Sequence, residues 1–270
     1  RQMCIRDSRE IVLTGVDITS YGHDLPKRPL LGQLVRRLLA DEPDLARLRL
    51  SSPDPAAIDE ELWSAIRDEP RLMPHLHLSI QAGDDLILKR MKRRHNRATV
   101  IDCCARARTL RPEISFGADL IAGFPTETET MFERTLELVQ ECNLSFLHVF
   151  PYSPRGRTPA ARMPMVPNNV RRSRAARLRE AGTQMLTNLL RSHTGNEADV
   201  LVEQQDTGRT EHYISVRLSN NWWLLPGDGL FSLCTARPTR CTMPSYSRWS
   251  TEKTNPQCRA IPNCCRRFGI

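Results

Sequence analysis

Short apolar runs alternate with amphipathic stretches from residue 10 to about residue 150. Five runs have the length and composition of buried strands: EIVLTGV (10–16), LRLS (48–51), LHLSI (76–80), ISFGADLIAG (114–123) and SFLHVF (145–150). Between them, four segments repeat apolar positions at helical spacing, namely 30–40, 59–68, 97–110 and 128–142. Strands that alternate with helices in this way indicate βα units built on a parallel sheet.

The segment FGADLIAGFPTETETMFERTLELV (116–139) joins a predicted strand directly to a predicted helix. Thr126 and Glu129 have the three-residue spacing of a capping box, in which each side chain binds a backbone N–H of the first turn. We therefore expect the helix to be capped at Thr126.

The chain changes character after this repeated region. Residues 153–169 form a Pro- and Arg-rich linker, and a long basic helix is predicted from about residue 171 to residue 191. Residues 198–218 indicate strand, turn and strand, which we interpret as the start of a small β-barrel. No periodicity follows Leu218, and residues 1–8 also match no pattern, so we expect neither end to belong to the folded unit and interpret both as products of truncation, joining or a frame shift.

Charge and cysteine are concentrated in the same C-terminal tail. Residues 219–270 carry seven Lys or Arg against two acidic residues, which accounts for +5 of the net charge of +8. Five of the nine cysteines also lie there, and no spacing in the chain fits a zinc site or the cluster motif C-x-x-x-C-x-x-C. We therefore predict no metal ligands in this chain. The absence of a long apolar stretch or signal segment predicts a cytoplasmic protein with no membrane partner.

The carboxyl ends of the predicted strands are rich in small and uncharged polar residues. Parallel α/β folds place their sites at these ends. Asp17, Asp54 and Asp119 are expected to serve as caps and turn formers, and no Ser-His-Asp or His-Glu set is present. His95, His148 and His212 have no partner at motif spacing, so we expect packing or surface roles. Such a rim suits a large polar cofactor that supplies the chemistry itself.

Several motifs in order resemble the radical S-adenosylmethionine (SAM) methylthiotransferases, and together they cover residues 9–218. They are EIVLTGVDITSYG, LRLSSPDP, HLHLSIQAGDDLILKRMKRRH, DLIAGFPTETE and HVFPYSPRGRTPAARM. The TGVDITSYG segment favours the branch that acts on N6-threonylcarbamoyladenosine at position 37 of tRNA. GRTEHYISVRL resembles the start of that family's RNA-binding TRAM domain.

The resemblance implies an α/β fold: a partial (β/α) radical-SAM barrel that lacks its first strand, followed by an incomplete TRAM-like β-barrel. The expected division is a barrel at 9–152, a linker and basic helix at 153–196, a TRAM-like segment at 197–218, and unmatched ends at 1–8 and 219–270. Residues implied to bind SAM are Gly15, Asp17, Ser51, Ser52, Gln81, Gly117, Asp119 and Gly123. No catalytic side chain is implied.

The resemblance also implies contact with tRNA through three basic patches. Their residues are Lys92, Arg93 and Arg94 after the third strand, Arg155 and Arg157 in the linker, and Arg209 and Tyr213 in the β segment. An aromatic ring and a guanidinium can stack on bases. The alternative for each patch is an ordinary solvated basic surface.

The family uses two [4Fe-4S] clusters, one of which drives reductive cleavage of SAM and so activates C2 of the modified adenine. Their cysteines are expected upstream of EIVLTG, and Cys4 alone cannot replace them. We therefore predict a transferase fragment that is poorly soluble and inactive by itself; its electron donor and sulfur source are not identified. The alternatives are a non-catalytic RNA-binding protein on the same scaffold and a methylthiotransferase of a ribosomal protein.

Overall fold

A computed structural model describes residues 9–156, 158–204, 207–217 and 230–233 of the chain. Five strands form one parallel sheet in sequence order β1-β2-β3-β4-β5, with bounds Glu10–Leu13, Arg47–Ser51, Leu72–Gln81, Ser115–Ala122 and Leu144–Pro151. Each predicted strand is present, and each pairs in parallel with its sequence neighbour. The α/β class and the parallel sheet are thus confirmed. The described residues include no further strand beside β1, which forms one edge of this sheet.

Helices connect the strands at the predicted positions. They are α1 Leu31–Asp41, α2 Glu60–Asp68, α3 Asp85–Arg90, α4 Arg97–Leu110, α5 Glu129–Glu141 and α6 Asn168–His193. Side-chain caps set several of the starts: the carboxylate of Asp59 accepts from the N–H of Leu62, and the amide oxygen of Asn96 accepts from the N–H of Thr99. No helix in the described part of the chain has the length and apolar composition needed to cross a bilayer.

The helix after β4 is capped differently from the prediction. The cap is Thr128, whose hydroxyl accepts from the N–H of Met131, so the expected capping box at Thr126 is wrong. Thr126 adopts a left-handed backbone conformation with φ of 68°. The reason is that Glu127 turns inward, where its carboxylate accepts from the N–H of Gly123 at 2.8 Å. The turn therefore closes around a buried acid before the helix begins.

The two faces of the sheet differ in polarity. Alternate residues of β3 are Leu76, Leu78 and Ile80, which are at most 2% exposed and belong to the core beneath the helices. The intervening residues of the same strand are His75, His77, Ser79 and Gln81. Since successive side chains of a strand point to opposite faces, one face is apolar and the other, the inner face of the partial barrel, is polar.

Helix α6 is an integral layer of the barrel. It begins at residue 168, before the predicted start, and it packs along β5, where Leu147 fills the space beside Gly182. Arg179 donates to the carbonyl of Val149. The region predicted as a linker and basic helix therefore contains one of the elements that cover the sheet.

A second, antiparallel sheet follows α6. Its strands are β6 Ala198–Gln204, β7 Thr207–Thr210, β8 Ser215–Arg217 and β9 Leu230–Leu233, in the order β8-β7-β6-β9. The expectation that no regular element follows Leu218 is wrong for β9, which pairs with residues 198–201. A four-residue apolar strand is too short to show alternation in the sequence. The other predictions about residues 1–8 and the tail lie outside the described residues.

Candidate functional site

The inner face of the sheet carries polar side chains on four neighbouring strands. From the amino end of the strands to the carboxyl end, the rows are Arg47, Arg49 and Ser51 on β2; His75, His77, Ser79 and Gln81 on β3; Ser115, Gly117 and Asp119 on β4; and Phe146 and His148 on β5. The alternation in RLRLS and HLHLSIQ was visible in the sequence. Reading only the strand ends missed the buried members of these rows.

The second sheet closes this face near the amino ends of the strands. Arg47 donates to the carbonyls of Asp199 and Arg209 at 2.8 and 3.0 Å. Arg49 donates to the carbonyls of Thr210 and Glu211, both at 2.8 Å, and pairs with Glu10 at 2.8 Å. The open part of the inner face is therefore at the carboxyl ends.

A cleft of about 280 Å³ lies at those carboxyl ends. It is lined by the loop after β1 (Val16 and Asp17), the ends of β2 and β3, and the segment after α3; the last three contribute Ser52, Asp54, Ser79, Lys92, Arg93 and Arg94. Residues predicted to bind the cofactor and residues predicted to bind RNA thus share one cleft. Loops that lie far apart in the sequence meet here because parallel strands end at the same edge.

Arg94 ties the two sides of the cleft together. Its guanidinium donates to both carboxylate oxygens of Asp17, at 2.9 and 3.0 Å, and to Asp54 at 3.2 Å. Burial alone would raise the pKa of Asp17, but the hydroxyls of Ser20 and Thr19 and the guanidinium of Arg94 together lower it. The side chain predicted to contact RNA is therefore engaged within the protein.

Asp54 is the most strongly stabilised carboxylate of the cleft. Burial acts to raise its pKa, but the hydrogen bond with His95 at 3.2 Å, the N–H of Ala56 and the charge of Arg94 lower the pKa to about 2. His95 also bonds the carbonyl of Ile80 at 2.9 Å. The expectation that His95 has no partner is wrong, because the partner lies 41 positions away in the sequence.

We expect Asp54→Asn to lower the free energy of unfolding at pH 7 by about 2 kcal/mol. The folded pKa lies below the ordinary value of 3.8, so the carboxylate stabilises the fold above about pH 3.8 and loses this effect as the pH falls towards about 2. Urea unfolding at pH 7 and pH 2 measures the difference, which should shrink at the lower pH. The exposed carboxylate Asp41→Asn is the matched control, and an equal loss for Asp54→Asn at both pH values would contradict the account.

Two strands end in left-handed residues that are not glycine. Ser52 follows β2 with φ of 59°, and Gln81 ends β3 with φ of 75°. Such conformations cost about 1 kcal/mol or more and persist where the surrounding structure holds them, often at functional sites. The N–H of Ser52 donates to the carbonyl of His77, and the amide of Gln81 donates to Ser79 at 3.4 Å. Both residues thus turn the chain over the mouth of the barrel.

The other predicted cofactor residues have different surroundings. Gly15 is exposed in the loop that leads to Asp17, and the hydroxyl of Ser51 lies 3.4 Å from that of Ser52. Gly117 lies under the ring of His77, and Gly123, with φ of 72°, is covered by Arg171 of α6. These two glycines allow close packing between elements, and neither opens onto the cleft described above.

Asp119 lies between two histidines on the inner face. Its Oδ1 is 3.0 Å from Nε2 of His77 and 3.1 Å from Nδ1 of His148, and the hydrogen bond from His77 is the main cause that lowers the pKa of Asp119. The expectation that His148 has no partner is therefore wrong. The three potential ligand atoms lie within 4.8 Å of one another, a grouping compatible with a metal ion. Sequence spacing gave no signal of it, since the residues come from three strands.

The remaining RNA candidates differ in exposure. Arg155 is exposed, and Arg157 lies outside the described residues. Tyr213 stacks on His75 with ring centroids 4.8 Å apart, while the guanidinium of Arg209 lies 4.2 Å from the centroid of the tyrosine ring. Arg209 also pairs with Glu203 at 2.9 Å. A base would have to compete with these contacts to stack on Tyr213.

The cysteines of the described residues do not fit a cluster. Cys103, Cys104 and Cys142 are buried between α4 and the end of α5, beneath the apolar face of the sheet. Burial raises the pKa of Cys103 to about 12. Since cluster ligands must be thiolates that reach the mouth of the barrel, these three thiols are structural.

Comparison with known proteins follows the same strands. The family model described as "Radical SAM superfamily" matches residues 2–139. The threonylcarbamoyladenosine tRNA methylthiotransferase MtaB of Rickettsia prowazekii (strain Madrid E) is 52% identical over 218 residues, which cover 81% of this chain and 52% of that protein. The tRNA-2-methylthio-N(6)-dimethylallyladenosine synthase of Herpetosiphon aurantiacus is 39% identical over 217 residues, 77% of this chain and 49% of that protein. These matches confirm the resemblance predicted from the motifs.

A solved structure gives a coarser likeness. The radical SAM enzyme coproporphyrinogen III oxidase (HemN) from Escherichia coli superposes with a TM-score of 0.49 and 21% identity, over 64% of this chain and 41% of that one. The chain spans about half the length of the curated relatives it matches.

Proposed function

The chain belongs to the radical SAM superfamily, and from this premise we propose that it is part of a methylthiotransferase that modifies tRNA. The proposed substrate is N6-threonylcarbamoyladenosine at position 37, which receives a methylthio group at C2. The observation that carries the proposal is the 52% identity to a threonylcarbamoyladenosine tRNA methylthiotransferase across the strands that form the cleft. The 39% identity to a relative named for dimethylallyladenosine supports the broader class.

The cleft fits the polar parts of SAM. Asp17, Ser52 and Ser79 supply carboxylate and hydroxyl groups at the mouth, and Gln81 adds an amide beside Ser79. These groups would bind the amino and ribose portions of the cofactor. Bound SAM supplies the radical chemistry of the family, while the described side chains hold and orient it. The described residues do not supply cluster ligands, so both proposed [4Fe-4S] clusters would need cysteines from elsewhere.

Equilibrium dialysis of labelled SAM against the chain tests the proposed cofactor site. We expect Gln81→Ala to weaken binding roughly tenfold, because one hydrogen bond in a desolvated site contributes about 1 kcal/mol. Gln140→Ala, on the exposed side of α5, is the matched control. Equal affinities for the two variants, or no binding by the unsubstituted chain, would count against a SAM site at these strand ends.

The proposed RNA partner accounts for the exposed cations around the cleft. Lys92, Arg93 and Arg155 lie on the side where a tRNA loop would approach, and binding through them should weaken steeply with salt. The second candidate function is a non-catalytic RNA-binding protein on the same scaffold. Salt-dependent tRNA binding without any SAM binding would favour that alternative.

A further inference from the structure

Arg93 stands out among the basic residues of the cleft because its charge is not compensated by contact. Its side chain is half-buried and lines the cleft. Within the part of the chain that the structure describes, its guanidinium makes no hydrogen bond and no ion pair. Burial lowers the pKa of Arg93, and the nearest carboxylates, on Asp54 and Asp17, act only at longer range. A partly desolvated guanidinium without an acceptor is costly unless a ligand supplies one.

The backbone holds Arg93 in this position through the end of α3. The N–H of Arg93 donates to the carbonyl of Leu88, and the N–H of Lys92 donates to that of Lys89, both at 3.0 Å. These two bonds form a Schellman motif, whose left-handed position is normally glycine. Here it is Lys92, with φ of 58°. A lysine in this strained conformation keeps a second cation at the cleft, at a cost to the helix end.

The charges of the cleft favour one added anion. Asp17 and Asp54 are both bonded to Arg94, and Asp54 is also bonded to His95. Arg94 and the two acids therefore satisfy one another, and the formal charge of the lining residues, with Lys92 and Arg93, is +1. A carboxylate suits this position because it can accept two parallel hydrogen bonds from a guanidinium. A backbone phosphate of RNA would remain outside a cleft of about 280 Å³.

We propose that Arg93, assisted by Lys92, binds the carboxylate of a small ligand held in the mouth of the barrel. The proposal deepens the proposed function and rests on it for the two possible sources. One is the threonine carboxylate of N6-threonylcarbamoyladenosine, and the other is the carboxylate at the amino-acid end of SAM. Either source would make Arg93 a positioning residue that fixes the ligand through its charged end.

Paired ligands that differ only in the carboxylate test this site on the full chain. Isothermal titration compares N6-threonylcarbamoyladenosine with its methyl ester, and SAM with decarboxylated SAM. We expect the unsubstituted chain to prefer the acid in one pair, and Arg93→Gln to weaken binding of that acid roughly tenfold or more while the neutral partner changes less than about twofold. Arg93→Lys should restore part of the preference. Lys89→Gln, an exposed lysine of α3, is the matched charge control.

The pair that shows the effect identifies the source of the carboxylate. Because Arg93 has no partner among the described residues, its variants should unfold at the same temperature as the unsubstituted chain, which circular dichroism checks. No acid preference in either pair, or a preference that survives Arg93→Gln, would overturn the proposal. A loss confined to tRNA affinity would assign the guanidinium to a phosphate and would also overturn it. None of these readouts requires methylthiotransferase activity, so the proposed function can fail separately.

Discussion

Arg49→Met is expected to destabilise the chain by about 3–5 kcal/mol and to release the second sheet from the barrel. Arg49 donates to the carbonyls of Thr210 and Glu211 and pairs with Glu10, whose side chain is only 10% exposed. The substitution would leave a buried carboxylate and two buried carbonyls with fewer donors. Since Arg49 joins residues 161 positions apart, the loss should separate the two sheets as well as lower their stability.

Limited proteolysis and urea unfolding measure these two effects together. Cleavage between α6 and β7 should become fast in Arg49→Met at a urea concentration that leaves the barrel folded. Arg37→Met is the matched control, because that guanidinium is 83% exposed and pairs only with Asp41. Equal protection of both variants would show that the second sheet is held by other contacts.

Arg174→Met is expected to have a similar cost, about 3–5 kcal/mol. Arg174 is 6% exposed and donates to both the carbonyl and the carboxylate of Glu127, each at 2.9 Å. Burial raises the pKa of Glu127 even with the arginine present. Without Arg174 the buried acid must either remain unpaired or take up a proton, and α6 loses its attachment to the turn after β4.

Urea unfolding of a double-mutant cycle separates the pair from its surroundings. The second substitution, Glu127→Gln, should cost less in the Arg174→Met background than in the unsubstituted chain, because no unpaired charge then remains. Arg177→Met is the control on the same helix, with a side chain 41% exposed that pairs with Glu129 and Glu133. A loss no greater for Arg174→Met than for Arg177→Met would contradict the account.

The parallel sheet was predictable because its information is local. Each strand has an apolar side that periodicity reveals, and the helices begin and end within a few residues of the predicted bounds. The cap at Thr128 was missed because Glu127 is drawn inward by Arg174, 47 positions away. A buried ion pair changes the start of a helix without leaving a signal in the local sequence.

The candidate site was predictable in part for the same reason. Asp17 and Ser52 were identified from the strand ends, and the structure places both in the cleft. The bridge from Arg94 to Asp17 joins residues 77 positions apart, and the grouping of His77, Asp119 and His148 needs three adjacent strands. The exposure of Arg93 without a partner depends on a left-handed Lys92, which sequence propensity disfavours. Such features follow from tertiary geometry alone.

The most direct test of the central claim replaces the matching segment of the Rickettsia prowazekii relative with residues 9–217 of this chain. The chimera is expressed in a strain that lacks its own threonylcarbamoyladenosine methylthiotransferase, and nucleosides from digested tRNA are measured by mass spectrometry. We predict 2-methylthio-N6-threonylcarbamoyladenosine, with no added methylthio group on dimethylallyladenosine. A chimera that accumulates normally and leaves the threonylcarbamoyladenosine unmodified would contradict the assignment of this chain to that reaction.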